Sequence, residues 1–280
     1  MKIKITSDST CDLTLQQLQD YDITVCPLVV NKGGQAFHDG VDIHPDDVYA
    51  HVAAGGDLCS TSALNPADYM AFFSEQLQGY DALIHLNIST GFSSCHQNAC
   101  LAAEEVENVW VVDSQNLSTG QGLLVLKAAE LAREGKAPQQ IVDILNATAG
   151  KVRASFVLEQ LEYMKKGGRC STVAALGANL LKLKPSIEVR DGKMGVAKKY
   201  RGSLEKCVRD YISDQLADVE STCPDRVFVT HSGVSQDIET LAVELVREKA
   251  WFKEICISRA GCTVSSHCGP GTLGVLFIAK

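Results

Sequence analysis

No stretch of this chain concentrates Lys and Arg, and its 280 residues carry 34 acidic against 26 basic side chains, a net charge of −8. That balance argues against a nucleic-acid-binding surface. No apolar run approaches the roughly 18 residues of a membrane-crossing helix, so neither a transmembrane segment nor stable membrane insertion is expected. The opening residues MKIKITSDST have no apolar core and no small-residue cleavage site, which speaks against a secretory signal. Eleven cysteines are present, yet none form a C-x-x-C pair, which disfavours a zinc ribbon or a thioredoxin-like dithiol. Scattered and odd in number, they are expected to be free, mostly buried thiols in a reducing cytoplasm. No Walker A pattern occurs. Gly120-x-Gly122 stops short of a dinucleotide fingerprint, because position 125 is Val125 and no acidic residue closes a strand about 20 residues on. His38, His44 and His51 share no familiar ligand spacing with acidic residues. They read as surface or capping residues, and neither metal nor cofactor is expected.

What is present is the composition of a soluble globular protein, 45% hydrophobic and 21% charged, long enough for one large domain or two ordinary ones. Lys2–Thr6 alternates as a strand and runs into the polar turn Ser7-Asp8-Ser9-Thr10-Cys11-Asp12. Ile23–Val30 reads as a second strand and Asn31-Lys32-Gly33-Gly34 as a hairpin turn. Pro45 opens a helix. Ser60-Thr61-Ser62 is a hydroxyl cluster ahead of a helix whose N-cap is Asn65, followed by Pro66. Ala82–Asn87 is a buried strand, and Val109–Val112 another, leading to a helix that ends near Glu134. Strands alternating with helices imply a mainly parallel sheet covered on both faces. Pro138 starts a helix that bridges into a second unit.

That second unit opens with a strand near Ala154–Leu158 and a short helix ending in Lys165-Lys166-Gly167-Gly168-Arg169. Thr172–Leu181 reads as a helix, Lys184–Arg190 and Lys193–Lys199 as a hairpin around Asp191-Gly192, and Lys198-Lys199-Tyr200-Arg201 as the approach to a helix near Ser203. Strand, helix and strand follow at Arg226–Thr230, Ile238–Glu248 and Glu254–Ser258. In AGCTVSSHCGPGT, His267 is expected in a rigid Gly/Pro turn ahead of a last strand, Leu273–Ala279. The fold class is therefore α/β with two α/β domains, 1–152 with a Rossmann-like parallel sheet and 153–280 with a mixed sheet.

The stretch with most chemistry is Ile88–Ala99, ISTGFSSCHQNA. It joins a buried strand to a helix, so it leaves backbone N–H groups free at the helix start. With Ser89, Thr90, Ser93 and Ser94 around them, those groups could receive a carboxylate or phosphate, although a serine cap serving its own turn explains them as well. Arg169, behind two glycines, is placed for fork-like anion contact or for a surface ion pair. Arg201 is solvated surface or an anion contact.

Taken together, SDSTCDL (Ser7–Leu13), Thr61-Ser62, ISTGFSSCHQNA, VVDS (Val111–Ser114), KKGGR ending at Arg169, KPSIEVRDG (Lys184–Gly192), KKYR ending at Arg201 and HCGPGT (His267–Thr272) resemble the DegV family. That family includes the fatty-acid-binding FakB-type subunits of bacterial fatty acid kinase. The resemblance spans essentially the whole chain and lies in the order and spacing of the strings. It implies a long-chain fatty acid lying between two domains, with its carboxylate held by Thr61, Ser62, Ser93, Arg169 and His267 and with Ser94 beside them. It also implies that Arg201 docks the kinase subunit, which phosphorylates the bound acid. Two departures fall near the expected carboxylate: Ser94-Cys95 stands where the family has Gly-Thr, and Cys268 where it has Thr. One alternative is a serine hydrolase with Ser93 as nucleophile, His267 as base and Asp113 as orienter, although Gly91-Phe92-Ser93-Ser94-Cys95 lacks the second glycine of a nucleophile elbow. Another is a thiol sensor or metal site using Cys95 and Cys268. Cys256, Cys262 and Cys268 are evenly spaced, but five intervening residues match no familiar ligand spacing.

Overall fold

Buried strands alternating with amphipathic helices build two main sheets that share one helical seam. A computed structural model describes residues 1–175 and 183–280. The first part of the chain runs through β1 (Ile3–Asp8), α1 (Leu15–Asp20), β2 (Ile23–Cys26), β3 (Val29–Lys32), β4 (Gln35–His38), α2 (Pro45–Ala53) and β5 (Ser60–Ser62). It continues with α3 (Pro66–Gln76), β6 (Ala82–Asn87), α4 (Cys95–Ala103), β7 (Val109–Asp113), α5 (Thr119–Arg133) and α6 (Pro138–Ala149). Strands β2-β1-β6-β7 form a parallel sheet. Every residue of β6 is buried, as expected for a parallel strand covered on both faces.

The remaining chain supplies β8 (Val152–Val157), α7 (Leu161–Gly167), α8 (Ser171–Ala174), β9 (Leu183–Arg190), β10 (Lys193–Arg201) and α9 (Leu204–Gln215). Then come β11 (Thr222–Ser232), α10 (Gln236–Arg247), β12 (Glu254–Arg259), α11 (Cys262–Cys268) and β13 (Thr272–Ala279). Their sheet has the order β10-β9-β8-β13-β11-β12 and is mixed, antiparallel except for β11 with β12. The rest of the helix expected to reach Leu181 lies outside the described residues.

Helix α5 is the seam, packing on β1 and β6 of one sheet and on β8 and β13 of the other. Its glycines explain the Gly120-x-Gly122 pair without any nucleotide. A Cβ at Gly122 would stand 2.6 Å from the carbonyl oxygen of Cys11 and one at Gly120 3.1 Å from the Ala154 Cβ, so the glycines let α5 approach both halves of the chain. The hydrophobic cluster around it runs from Ile5 to Leu276 without a break. A second cluster, including Val208, Tyr211 and Val243, fills the far face of the mixed sheet under α9 and α10.

Local structure departs from expectation in four places. Ile23–Val30 is two strands in two sheets, because Pro27 has no N–H to continue a ladder. Leu28 instead donates its N–H to Ser9 Oγ (3.1 Å) and accepts at its carbonyl from the Asp39 N–H (2.9 Å). β3 then joins β4 and β5 in a small antiparallel sheet, so Ser60-Thr61-Ser62 is a strand. Arg201 ends β10, and the next helix starts only after Ser203, whose hydroxyl accepts from the Lys206 N–H. His267 lies in the last turn of α11, with Gly269-Pro270-Gly271 beyond it.

Helix α11 (CTVSSHC) has little intrinsic helix propensity and is held from outside. The Asp12 carboxylate accepts the Gly261 N–H (2.8 Å), and Asp39 accepts those of Cys262 (2.7 Å) and Thr263 (2.9 Å). These are the groups a helix start leaves unpaired, and negative charge there is favourable. Asp12 is itself buried, in the left-handed region at φ 50°, and accepts from the Ser118 hydroxyl. Burial pushes its carboxyl up to about 8, with Asp39 and Asp8 adding in the same sense. A carboxyl whose folded pKa exceeds its unfolded value makes the native state hold the extra proton, so stability falls as pH rises through that window. One such group contributes up to about 1.4 kcal/mol per pH unit. Asp12→Asn is therefore expected to flatten the loss of stability between pH 6.5 and 8, read from urea midpoints. Burial also raises the Asp8 carboxyl.

Candidate functional site

Three polar turns converge where the two sheets meet. The first follows β6. The buried Asp8 carboxylate at the end of β1 accepts the Ile88 N–H (2.8 Å) and an Asn87 side-chain N–H (3.4 Å). The turn is pressed onto the β9–β10 hairpin: Ser89 Oγ donates to the Gly192 carbonyl (2.9 Å), and a Cβ at Gly91 would stand 2.1 Å from that oxygen. Ser93 comes next, its hydroxyl donating to Cys95 Sγ (3.0 Å) and accepting the Cys95 N–H (3.3 Å).

The second is the end of α11. His267 Nε2 and Thr61 Oγ1, the latter on β5, share a hydrogen bond of 2.8 Å. His267 Nδ1 is buried and has no partner among the described residues. Burial, reinforced by the charge of Arg169, pulls the imidazole down to about 4, so the ring is neutral at pH 7.

The third is the end of α7. A Cβ on Gly167 would lie 2.4 Å from His267 Nδ1, so only glycine lets the helix close over the ring. Gly168 takes the left-handed cap (φ 69°) and turns the chain so that Arg169 bonds the carbonyls of Gly167 (2.6 Å) and Phe92 (3.5 Å). Arg169 therefore ties the α7 end to the serine turn.

Between these turns runs a slot lined by Thr61, Ser62, Ser93, Arg169 and His267 at its polar side and by Leu28, Phe92, Leu117, Met164, Met194 and Val264 elsewhere. Leu117, Val264 and Cys268 also wall a second chamber, which continues against Phe156 and Leu276 of the mixed sheet. The free volumes are about 60 and 30 Å3, so the passage is narrow. The structure thus brings five of the six proposed head-group residues together. Ser94 is exposed at the start of α4 and is not part of the lining, and Ser62 Oγ accepts from Asn31 Nδ2 (3.0 Å). Arg201 is exposed at the end of β10, away from the slot lining.

The alternative chemistries find little support in this geometry. Asp113 accepts from the Thr90 hydroxyl and the Gln115 N–H, both at 2.8 Å, so it does not orient His267, whose Nε2 is bonded to Thr61. Burial pushes the Cys95 thiol up to about 11 and that of Cys268 to about 12, which makes them poor nucleophiles. All eleven cysteines are free, and no cluster of metal-ligating side chains occurs among the described residues. Nor is any helix among them long and apolar enough to cross a membrane.

Sequence reasoning missed the two methionines of the lining and the role of Asp39. The methionines carry no motif. Asp39-Gly40 signals only a turn.

Known proteins resemble this chain in sequence and in fold. The DegV family model, described as an uncharacterised protein family, matches residues 2–280. A DegV domain-containing protein of Clostridium acetobutylicum is 34% identical, with 100% of this chain and 99% of that protein aligned. A Thermus thermophilus structure described as fatty acid binding by a DegV family protein superposes with TM-score 0.92 at 31% identity, covering 100% of both chains. A stearic-acid-binding protein of Eubacterium ventriosum gives TM-score 0.86 at 27% identity, covering 99% of this chain and 98% of the other. Matched along almost its whole length in sequence and in fold, this chain belongs to the DegV family.

Proposed function

We propose that this protein is a FakB-type carrier. It binds a long-chain fatty acid between two α/β units, 1–152 and 153–280, and presents the carboxylate to a separate ATP-using fatty acid kinase. The observation that carries this reading is the slot, apolar along its walls and closed at one side by Thr61, Ser93, Arg169 and His267. The fatty-acid-binding relatives support it.

The energetics agree. Burying an acyl chain gains about 0.8 kcal/mol per methylene, hence up to about 11 kcal/mol for fourteen of them, before the costs of association. A carboxylate taken out of water unpaired costs several kcal/mol, so it needs donors. Buried donors are rarely left bare, which assigns the His267 ring proton to Nε2, facing Thr61, and leaves Nδ1 as the unpaired acceptor. Thr61 then accepts from the ring and directs its own O–H at the ligand. Ser93 donates its hydroxyl proton only to a sulfur, a weak acceptor, so that proton turns to the carboxylate at little cost. Arg169 supplies the charge and Ser62 flanks the group, while Ser94, exposed at the start of α4, stands outside the lining. A bound tail needs room on the order of 300 Å3. Met164 and Met194, unbranched and adaptable, are the walls that yield to it. No nucleophile is required, and the free thiols suit a reducing cytoplasm.

Mass spectrometry of denatured, purified protein is expected to find a fatty acid at one per chain; empty protein would count against the reading. Ser93→Ala, which removes one hydrogen bond to a charged group worth about 1.5–3 kcal/mol, and His267→Ala, which removes the ring that holds the Thr61 hydroxyl on the ligand, should each lower retention about tenfold, with circular dichroism unchanged. Equal retention in both variants would put the anchor elsewhere. Gly167→Ala should push the imidazole off Thr61 and lower retention in the same assay. Arg201→Ala is expected to keep its fatty acid yet lose acyl-phosphate formation when a fatty acid kinase and ATP are added, as read by phosphate transfer.

A further inference from the structure

Thr61 and His267 come from opposite ends of the chain, and their 2.8 Å hydrogen bond depends on how α11 is seated against β5. Asp12 and Asp39 both grip its first turn, and Asp39 is the one that ties it to the strands around Thr61. Asp39 directly follows β4, which pairs with β3, which in turn pairs with β5, so that Val29 lies opposite both His38 and Ser62. The strand that carries Thr61 and the residue that grips α11 therefore belong to one small sheet. Asp39 holds the helix through both oxygens, Oδ1 on the Cys262 N–H and Oδ2 on the Thr263 N–H. It is itself fixed by the Ser9 hydroxyl (3.1 Å) and, through its backbone N–H, by the Leu28 carbonyl (2.9 Å). From Cys262 to His267 is about 7.5 Å of helix at 1.5 Å per residue. A rod so short passes any shift of its first turn to its last.

We propose that Asp39 is a positioning residue of the head-group site: by clamping the first turn of α11 to the β3–β5 sheet it sets the imidazole of His267 on the hydroxyl of Thr61. The hydrogen bonds then close a ring, from Thr61 across β3 and β4 to Asp39, through α11 to His267, and back to Thr61. Asp12 braces the same helix from the α5 side through Gly261 and Ser118, but it is not part of that ring.

The test is Asp39→Asn, which keeps the shape and gives up one acceptor oxygen, with Ser9→Ala as a milder variant that loosens the same carboxylate without touching α11. Two readouts are taken on full-length protein. The first is nitrogen NMR of the His267 ring across pH, which reports the Thr61 bond and needs no ligand. The second is affinity for a fluorescent C16 acid, which rests on the carrier reading. Both variants should show an altered His267 tautomer signal and a titration midpoint moved toward that of free imidazole, with acid affinity about tenfold lower in Asp39→Asn and less affected in Ser9→Ala. A role in stability alone would lower the melting temperature and leave the ring signals of the folded protein as in the parent. Parent-like ring signals in folded Asp39→Asn, or in Ser9→Ala should the first variant not fold, would overturn the proposal. Failure of the parent protein to bind the acid would sink the carrier reading and leave the ring measurement intact.

Discussion

Two buried carboxylates gripping the start of one short helix hold this molecule's site together. Asp12 and Asp39 come from the first forty residues, and the N–H groups they accept belong to Gly261, Cys262 and Thr263. Neither carboxyl group can be left without partners in the interior, because an unpaired buried polar group is costly. The constraint is mutual. Helix α11 lacks the composition to stand alone, and the carboxylates lack solvent, so each makes the other tolerable. The position of His267 follows from this.

The same economy shapes the slot walls. Where a backbone must come close to its neighbour, the chain uses glycine: Gly91 against the Gly192 carbonyl, Gly122 against that of Cys11, Gly167 against the His267 ring. Where small apolar volume is needed, it uses cysteine, nine of the eleven being buried. Burial raises these thiols, as at Cys11, Cys256 and Cys268, each to about 12, so they behave as small hydrophobes. Cysteine richness here reflects packing.

Much of this was legible in the sequence because local signals and the fold agreed. The cap at Asn65, the helix start near Ser203, the buried run Ala82–Asn87 and the βα alternation each led to the element found. Motif order pointed to the family, and five of the six proposed head-group residues meet in one slot. The failures share one cause, long-range contacts overriding local pattern. Ile23–Val30 is a single apolar run, yet Pro27 and the contacts of Leu28 with Ser9 and Asp39 split it. The stretch CTVSSHC resembles a loop until the carboxylates some 220 residues earlier are counted. Asp39 had no local signature at all, since its function lies in what reaches it from the other end of the chain.

The mixed sheet also has a consequence for biosynthesis. β13 lies between β8 and β11 in the interior of the sheet, so the edges of β8 and β11 that face it stay unpaired until residues 272–279 have left the ribosome, although β8 can pair with β9 and β11 with β12. Pairings between residues so far apart in sequence are slow to form, and exposed strand edges are sticky in the interval. The earlier parallel sheet, whose strands lie between residues 3 and 113, can pair its strands during translation. The half bearing Thr61 and Ser93 thus has all the strands of its parallel sheet in hand while the mixed sheet still lacks the strand that joins β8 to β11.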